Sequence, residues 1–459
     1  MTLDFFSQIC KIPHASGNTQ QLQTWLVEQL KLSGALVKQD EFGNIYAVKG
    51  TPKICLQAHF DMVKVGGNPQ VEVQLVKKQD AEFKLLAQSG WQECLSELRT
   101  GANGGFAGDE GLFLRAKDSS LGADNGVGVA MILSAFARRK NLEALITNDE
   151  EVGLVGAEGF CGEFLSPNLL NLDSEDEGEI VIGCAADVKI KFDFDCEWEE
   201  AVGGEFWQFS AKCPGGHSGI DIDKNIPNAV SVLAKLIHSN GGRLALLKGG
   251  ERINSIPAAA SAIAHFKEGG AREWLEGLPQ GVTAHKIQAA FPVESGKILS
   301  FLAGFKSGVY EKDENGVKTS ANLSLADFSG ARCEVSVFAR SSDERALKRL
   351  CREFEREFKG CVEVGQMSLA WKPKRNEFSA LVAQKFAQNR LFATTKAIHA
   401  GLECGVLVAN FTKKFAKPLN AVSIGPNITS PHSTNEVLEL SSLRRIERVL
   451  EAVLDEFDA

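Results

Sequence analysis

Imidazoles and carboxylates gather on five short stretches that lie far apart in this chain, and the fold must let them meet. AHFDM carries His59 and Asp61, LGADNG carries Asp124, NDEEVG carries Glu150 and Glu151, LDSEDEGE opens on Asp173, and GPNITSPHS contains His432. Two imidazoles with well-spaced carboxylates are the ligand inventory of a hydrolytic site with two divalent ions, one carboxylate being shared between them. Four of the stretches fall before residue 187, and His432 of the fifth comes only 259 residues after Asp173. For His432 to join the others, the end of the chain must return to the first domain in space. What lies between is then an insertion.

The local patterns agree with that organisation. At 459 residues the chain exceeds what one hydrophobic core usually serves. In the first part, Leu22, Trp25, Leu26, Val27 and Leu30 form a helical stripe, Gly43-Asn44 punctuates a hairpin, and the apolar run Ile54 to Ala58 ends at His59. Asp124 opens a helix through Ala137, LEALIT from Leu142 reads as a strand ending at the acids, and LLNLD reads as another ending at Asp173. This is a βαβ texture with polar residues at strand C-terminal ends, where open α/β sheets place their sites. From about Val188 the texture changes to alternating strands, such as VKIKFDFDC and ARCEVSVFAR, with helical stretches at Asn228 to His238 and Asp343 to Phe358. The expected fold is α/β in two domains: a discontinuous catalytic domain over 1–187 and 373–459, and an inserted α+β domain over 188–372.

Charge and composition remove several function classes. Fifty basic against 59 acidic side chains give a net charge of −9, which argues against nucleic acid and anionic membranes as partners. MTLDFFSQICKIPHASG lacks the basic start and apolar core of a secretory signal, and the apolar run Val127 to Ala137 is too short to span a bilayer. A cytoplasmic location is expected. None of the eleven cysteines forms a CxxC, and Cys55 and Cys184 sit in apolar surroundings, so reduced structural thiols are expected.

The site residues divide by chemistry. Asp124, at the head of a helix, is the candidate bridging carboxylate. One ion is assigned to His59, Asp124 and Asp173, the other to His432, Asp124 and Glu151, which gives each a nitrogen and carboxylates. Asp61, two residues from His59, is placed to accept the second ring proton and fix the tautomer. Glu150 is left outside the ligand set as the candidate general base. A calcium-loop reading of LDSEDEGE fails, because its twelfth position is Cys184 where a bidentate glutamate is required.

The combination HFDMV, SLGADNGVGVA, DEEVG, NLDSEDEGEI, GGHSG, HAGLECG and GPNITSPHS resembles the bacterial aminoacyl-histidine dipeptidases, of the di-zinc superfamily that includes aminoacylases, carboxypeptidases and carnosinases. The resemblance runs from IPHASG to the last helix. It implies cytosolic hydrolysis of unblocked dipeptides, Xaa-His among them, with an inserted lid domain, a homodimer formed through that lid, and two divalent ions, Zn²⁺ before Mn²⁺ or Co²⁺. It gives the same metal roles to His59, Asp124, Glu151, Asp173 and His432, and makes Asp61 and Glu150 the catalytic pair. It further implies that His217 of GGHSG polarises the scissile carbonyl, while Asn254 of RINSIP and Arg340 of VFARSS bind substrate. His399 and Glu403 of HAGLECG match the family without a defined role. The alternative within hydrolases is an amidohydrolase acting on N-acyl or N-carbamoyl amino acids.

Three features depart from the pattern or compete with it. The stretch from Val71 to Gly111, with its glycine-rich GANGGFAGDEG, is longer than the resemblance implies and reads as an extended surface loop, with a flap over the substrate as the alternative. Asp149 adds a carboxylate beside Glu150 and is expected to raise its pKa unless solvent screens it. Cys213, just before PGGHSG, has no histidine at base spacing and reads as a packed thiol.

Overall fold

Parallel strands must bury both faces, and the residues that end in His59 and Thr147 are apolar enough to do so. The computed structural model describes residues 1–80, 82–100, 109–268, 272–288, 291–314, 316–330 and 332–458, and it divides into two compact units. The first comprises 1–183, 371–397 and 402–459. Its main sheet has eight strands, in the order Leu36–Gln39, Ile45–Lys49, Leu142–Thr147, Cys55–His59, Asn168–Asn171, Asn420–Ser423, Glu179–Cys184 and Thr394–Ile398. Cys55–His59 runs parallel to both Leu142–Thr147 and Asn168–Asn171, and every residue of the first two is buried. Parallel alignment brings three strand C-terminal ends side by side. His59 ends one, Glu150 follows the second by three residues, and Asp173 follows the third by two.

The helix Ala123–Arg138 crosses between these strands with everything from Ala123 to Phe136 buried. Its apolar residues join one core with Phe6, Leu26, Leu56, Ile146 and Leu450. The hairpin expected at Gly43-Asn44 is present, with Leu36–Gln39 antiparallel to Ile45–Lys49 and Gly43 at φ +85°, where a side chain would be strained.

The stretch from Val71 to Gly111 corrects the surface-loop expectation. Val73–Gln79 and Glu82–Ala87 pair with each other, and Val73–Gln79 pairs again with Leu112–Ala116. The five-stranded sheet is completed by Val437–Glu439, paired to Leu112–Ala116, and by Ile428–Thr429. Val73, Leu75, Val76, Leu112 and Leu114 are buried, and Trp91 and Leu95 of the helix Trp91–Thr100 pack with them. Burial of that apolar set holds the segment to the body of the unit. Its glycine-rich run, 101–108, lies outside the described residues.

The second unit comprises 184–370 and 398–401. A nine-stranded sheet, antiparallel in the pairings given by Ala186–Asp195, Arg332–Ser341 and Gly316–Phe328, shares a core with the helices Ala229–Ser239, Lys297–Gly304 and Glu344–Glu357. Two of these helices are capped by the side chains of Asn228 and Asp343, which accept backbone N–H bonds of the first turn. None of the eleven cysteines forms a disulfide, and Cys55 and Cys184 are among the buried ones. No helix among the described residues is long and apolar enough to cross a membrane.

Candidate metal centre

Asp124 sits at the centre of the cluster, and its two carboxylate oxygens face opposite ways. Oδ1 lies 3.2 Å from His59 Nε2. Oδ2 lies 2.9 Å from His432 Nε2. On the first side Asp173 Oδ1 is 3.3 Å from the same His59 nitrogen. On the second side Glu151 Oε1 is 2.7 Å from the His432 nitrogen. His59, Asp124 and Asp173 therefore form one group, and Asp124, Glu151 and His432 another, the donor atoms of each lying within 4.8 Å of one another. A tetrahedral ion with bonds of ~2.0–2.1 Å holds neighbouring ligands about 3.3 Å apart. The donor set fits two cations sharing one carboxylate.

The tautomer of His59 supports that fit. Its Nδ1 is 3.0 Å from the backbone carbonyl of Asp61, an acceptor only, so Nδ1 carries a proton and Nε2 is the nitrogen turned toward Asp124 and Asp173. A ring nitrogen aimed between two carboxylates calls for a positive charge there, a proton or a cation. The electrostatics of the buried groups say the same. Burial works against a charged His59, yet Asp173, with the bonds to Asp124 and Asp61, lifts it well above its usual value. Burial opposes His432 as well, and Asp124 and Glu151 nevertheless push it up to about 11. Glu151 is raised by burial and by Asp124, and Asp173 by burial against the pull of His59. Carboxylates crowded beyond what two imidazoles can balance are the signature of a cation site.

Asp61 faces the Nδ1 proton of His59 with its backbone oxygen at 3.0 Å and a carboxylate oxygen at 3.5 Å. The carboxylate also accepts the N–H groups of Glu150 (2.9 Å) and Glu151 (3.3 Å) and the hydroxyl of Ser16 (2.8 Å). One buried acid thus fixes the turn that presents both glutamates. Glu150 has its carboxyl pushed well above the usual range, first by burial and then by Glu151, Asp173 and Glu403 against the opposing effect of His59. Asp149 is not among the main groups acting on it; its oxygens accept the Gly17 N–H at 2.7 Å and the Asn148 amide at 2.9 Å.

The second unit gathers the remaining sequence-predicted residues. Gly216–His217 pairs with Ser255–Ile256, and the N–H of Ser218 bonds the carbonyl of Asn254, so His217 and Asn254 are neighbours. His217 Nδ1 accepts N–H bonds from Gly219 (3.3 Å) and Ile220 (3.1 Å), which leaves the proton on Nε2. Arg340 is buried, 3.5 Å from the carboxylate of Asp187 and stacked on Phe338. A side chain at Gly219 would meet Arg340 Nε, so the arginine lies against the GGHSG loop. His399 shares a bond of 2.8 Å with Ser320 and is pushed down to about 4 by burial and by Arg340. Cys213 is a half-buried thiol raised by burial, the opposite of what a nucleophile needs.

Sequence reasoning missed three residues. Glu436 accepts the N–H groups of Leu121, Gly122, Ala123 and Asp124 at 2.8 to 3.3 Å, tying the His432 loop to the start of the Asp124 helix. Asn125, joined to Asp124 by a cis peptide, donates to the carboxylate of Asp173 and to the carbonyl of Leu172. Glu175, on the loop after Asp173, is raised by burial and by Asp124. Only the proximity of Glu436 and Asn125 to motif residues hinted at them.

No family model matches the sequence. It is 28% identical, over 99% of this chain and 97% of the other, to the cytosol non-specific dipeptidase of Escherichia coli (strain K12). Among solved structures it superposes on an aminoacylhistidine dipeptidase from Vibrio alginolyticus with a TM-score of 0.66 at 24% identity, covering 99% of this chain and 96% of that one. Over almost its whole length the chain shares the fold of that dipeptidase. A tripeptidase from Staphylococcus aureus shares the fold more distantly, with a TM-score of 0.55 and 16% identity over 100% of this chain and 98% of that one. The matched 99% of the chain extends through residues of both units.

Proposed function

We propose that this protein is a cytosolic metallo-dipeptidase that hydrolyses unblocked dipeptides, Xaa-His among them, with two divalent ions in the first unit. The observation that carries the reading is the division of the Asp124 oxygens between two imidazole-carboxylate groups. His59, Asp124 and Asp173 would hold one ion, and His432, Asp124 and Glu151 the other. Imidazole and carboxylate donors suit Zn²⁺, with Mn²⁺ and Co²⁺ accepted by the same set. When bound, such a pair supplies Lewis acidity toward the peptide carbonyl and toward water.

The chain's own residues do the rest. Glu150, with its raised pKa, takes the proton from the attacking water and passes it to the leaving amine. Asp61 holds Glu150 and Glu151 in register through their N–H groups. His217, protonated on Nε2, donates a hydrogen bond to the developing oxyanion. Asn254 and Arg340 bind the substrate's free carboxylate, with Asp187 orienting the guanidinium. The second unit serves as a lid and as the surface through which two chains pair.

Zinc-reconstituted protein assayed on Ala-His, Gly-Leu and N-acetyl amino acids tests the reading. Turnover of the dipeptides is expected, and hydrolysis confined to the acetylated compounds overturns it in favour of an amidohydrolase. Glu150→Ala should retain both ions by elemental analysis and lose about 10²- to 10⁴-fold in kcat. Parental turnover by that variant would sink the mechanism.

A further inference from the structure

We propose that Glu403 is a positioning residue of the dication site, a buried negative charge that strengthens cation binding from behind the three strand ends. The inference rests on the two-metal reading and extends it to a residue outside the ligand set. Glu403 opens the helix Glu403–Phe415 and is fully buried. Its Oε2 accepts hydrogen bonds from Gln57 Nε2 and Thr147 Oγ1, both at 2.6 Å. Its Oε1 is buried without a hydrogen-bond partner, and no ion pair to it occurs among the described residues. A buried carboxylate with two neutral donors on one oxygen and none on the other is poorly compensated by its own surroundings. Packing alone gives no reason for a charge here. The amide oxygen of a glutamine would accept the same two bonds.

The position of the residue supplies a reason. Gln57 precedes His59 by two residues on its strand, and Thr147 is the strand residue paired with His59. The chain of bonds continues from Gln57 Oε1 to Asn171 Nδ2, at 2.5 Å, and from Asn171 Oδ1 to the N–H of Asp173, at 3.2 Å. One carboxylate is therefore linked to the bases of the loops that carry His59, Glu150 and Asp173. Its field reaches the same groups: His59 and Asp173 act on Glu403, and Glu403 acts on Glu150. In a low-dielectric interior such a charge is weakly screened. Cations held by His59 and Asp173 would be attracted to it, and their charge would offset the cost of burying it.

This predicts opposite effects on the metal-free and metal-loaded protein. In Glu403→Gln the shape and the two accepted bonds are kept while the charge is lost. Competition with a chromogenic chelator should show Zn²⁺ binding weakened about tenfold or more, while the metal-free variant melts no lower than metal-free wild type. Glu403→Asp, which keeps the charge, should recover most of the affinity. Unchanged Zn²⁺ affinity in Glu403→Gln overturns the proposal, as does an equal weakening in Glu403→Gln and Glu403→Asp, which would assign the residue to packing. The readouts need no substrate. Wild-type protein that binds two ions, with no effect of the Gln substitution, defeats this inference and leaves the two-metal reading standing; wild-type protein that binds none defeats both.

Discussion

Four backbone N–H groups converge on the carboxylate of Glu436, and that convergence determines where Asp124 stands. The chain turns into its helix through Gly122 at φ +70°, and the N–H groups of residues 121–124 all point to one side. Exposed to the interior without an acceptor, each would cost ~1–3 kcal/mol. Glu436 satisfies them, at the price of its own desolvation, which pushes its carboxyl up to about 7 despite the bonds to Gly122 and Asp124. In Glu436→Gln one oxygen becomes an NH₂ facing donors. A loss of roughly 2–4 kcal/mol in urea unfolding is expected, with a weaker second ion because Asp124 and His432 lose their common anchor. A variant as stable as wild type, with both ions tightly bound, would show the contact to be incidental. At this scale the sequence was readable where chemistry constrains residue type, as at His59, Asp124 and His432. It was silent at Glu436, because an acid that accepts backbone bonds looks like any solvated loop acid. Asp61 shows the same limit: its place beside His59 was legible, but its carboxylate serves the N–H groups of Glu150 and Glu151, a contact no spacing encodes.

Elements bring these residues together through packing that tolerates little change. The helix Ala123–Arg138 approaches the Asp173 loop closely at Gly128, where a Cβ would lie 2.0 Å from Asn125 Oδ1 and 2.7 Å from the carbonyl of Leu172. Helix propensity alone makes Gly→Ala favourable by ~1 kcal/mol. Here the clash wins, because one of the two atoms belongs to the backbone and the other to the amide that bonds Asp173. Gly128→Ala is expected to lose rather than gain stability and to bind metal less tightly, read by thermal melting and metal stoichiometry; a raised Tm with full occupancy would mean the helix can shift. The helix and its neighbouring strand Leu142–Thr147 were legible because each carries its own periodicity. The strands Val73–Gln79 and Leu112–Ala116 were not, since the segment joining them obscures the pattern and their further partner, Val437–Glu439, follows hundreds of residues later.

On the scale of the molecule, the chemistry is unevenly distributed between two cores. The His59–Asp124–Asp173 and Asp124–Glu151–His432 groups lie in the unit built from 1–183, 371–397 and 402–459, while the unit of 184–370 and 398–401 closes its own core around Phe192, Leu233, Leu323 and Val337. That the last segment returns to the first was legible from the need of His432 for carboxylate partners; that 398–401 belong to the second unit was not, because four residues carry no periodicity. Metal bound only to the folded form stabilises it by RT ln(1 + [L]/Kd), about 2.7 kcal/mol at a hundredfold excess over Kd. Chelation should therefore act locally. Hydrogen exchange after EDTA treatment is expected to speed up at the amides of Cys55–His59, Leu142–Thr147 and Asn420–Ser423, with little change at Ala186–Asp195 and Arg332–Ser341. An equal loss of protection in both sets would mean that the chain unfolds as one cooperative body and that the metal-linked stability is shared throughout it.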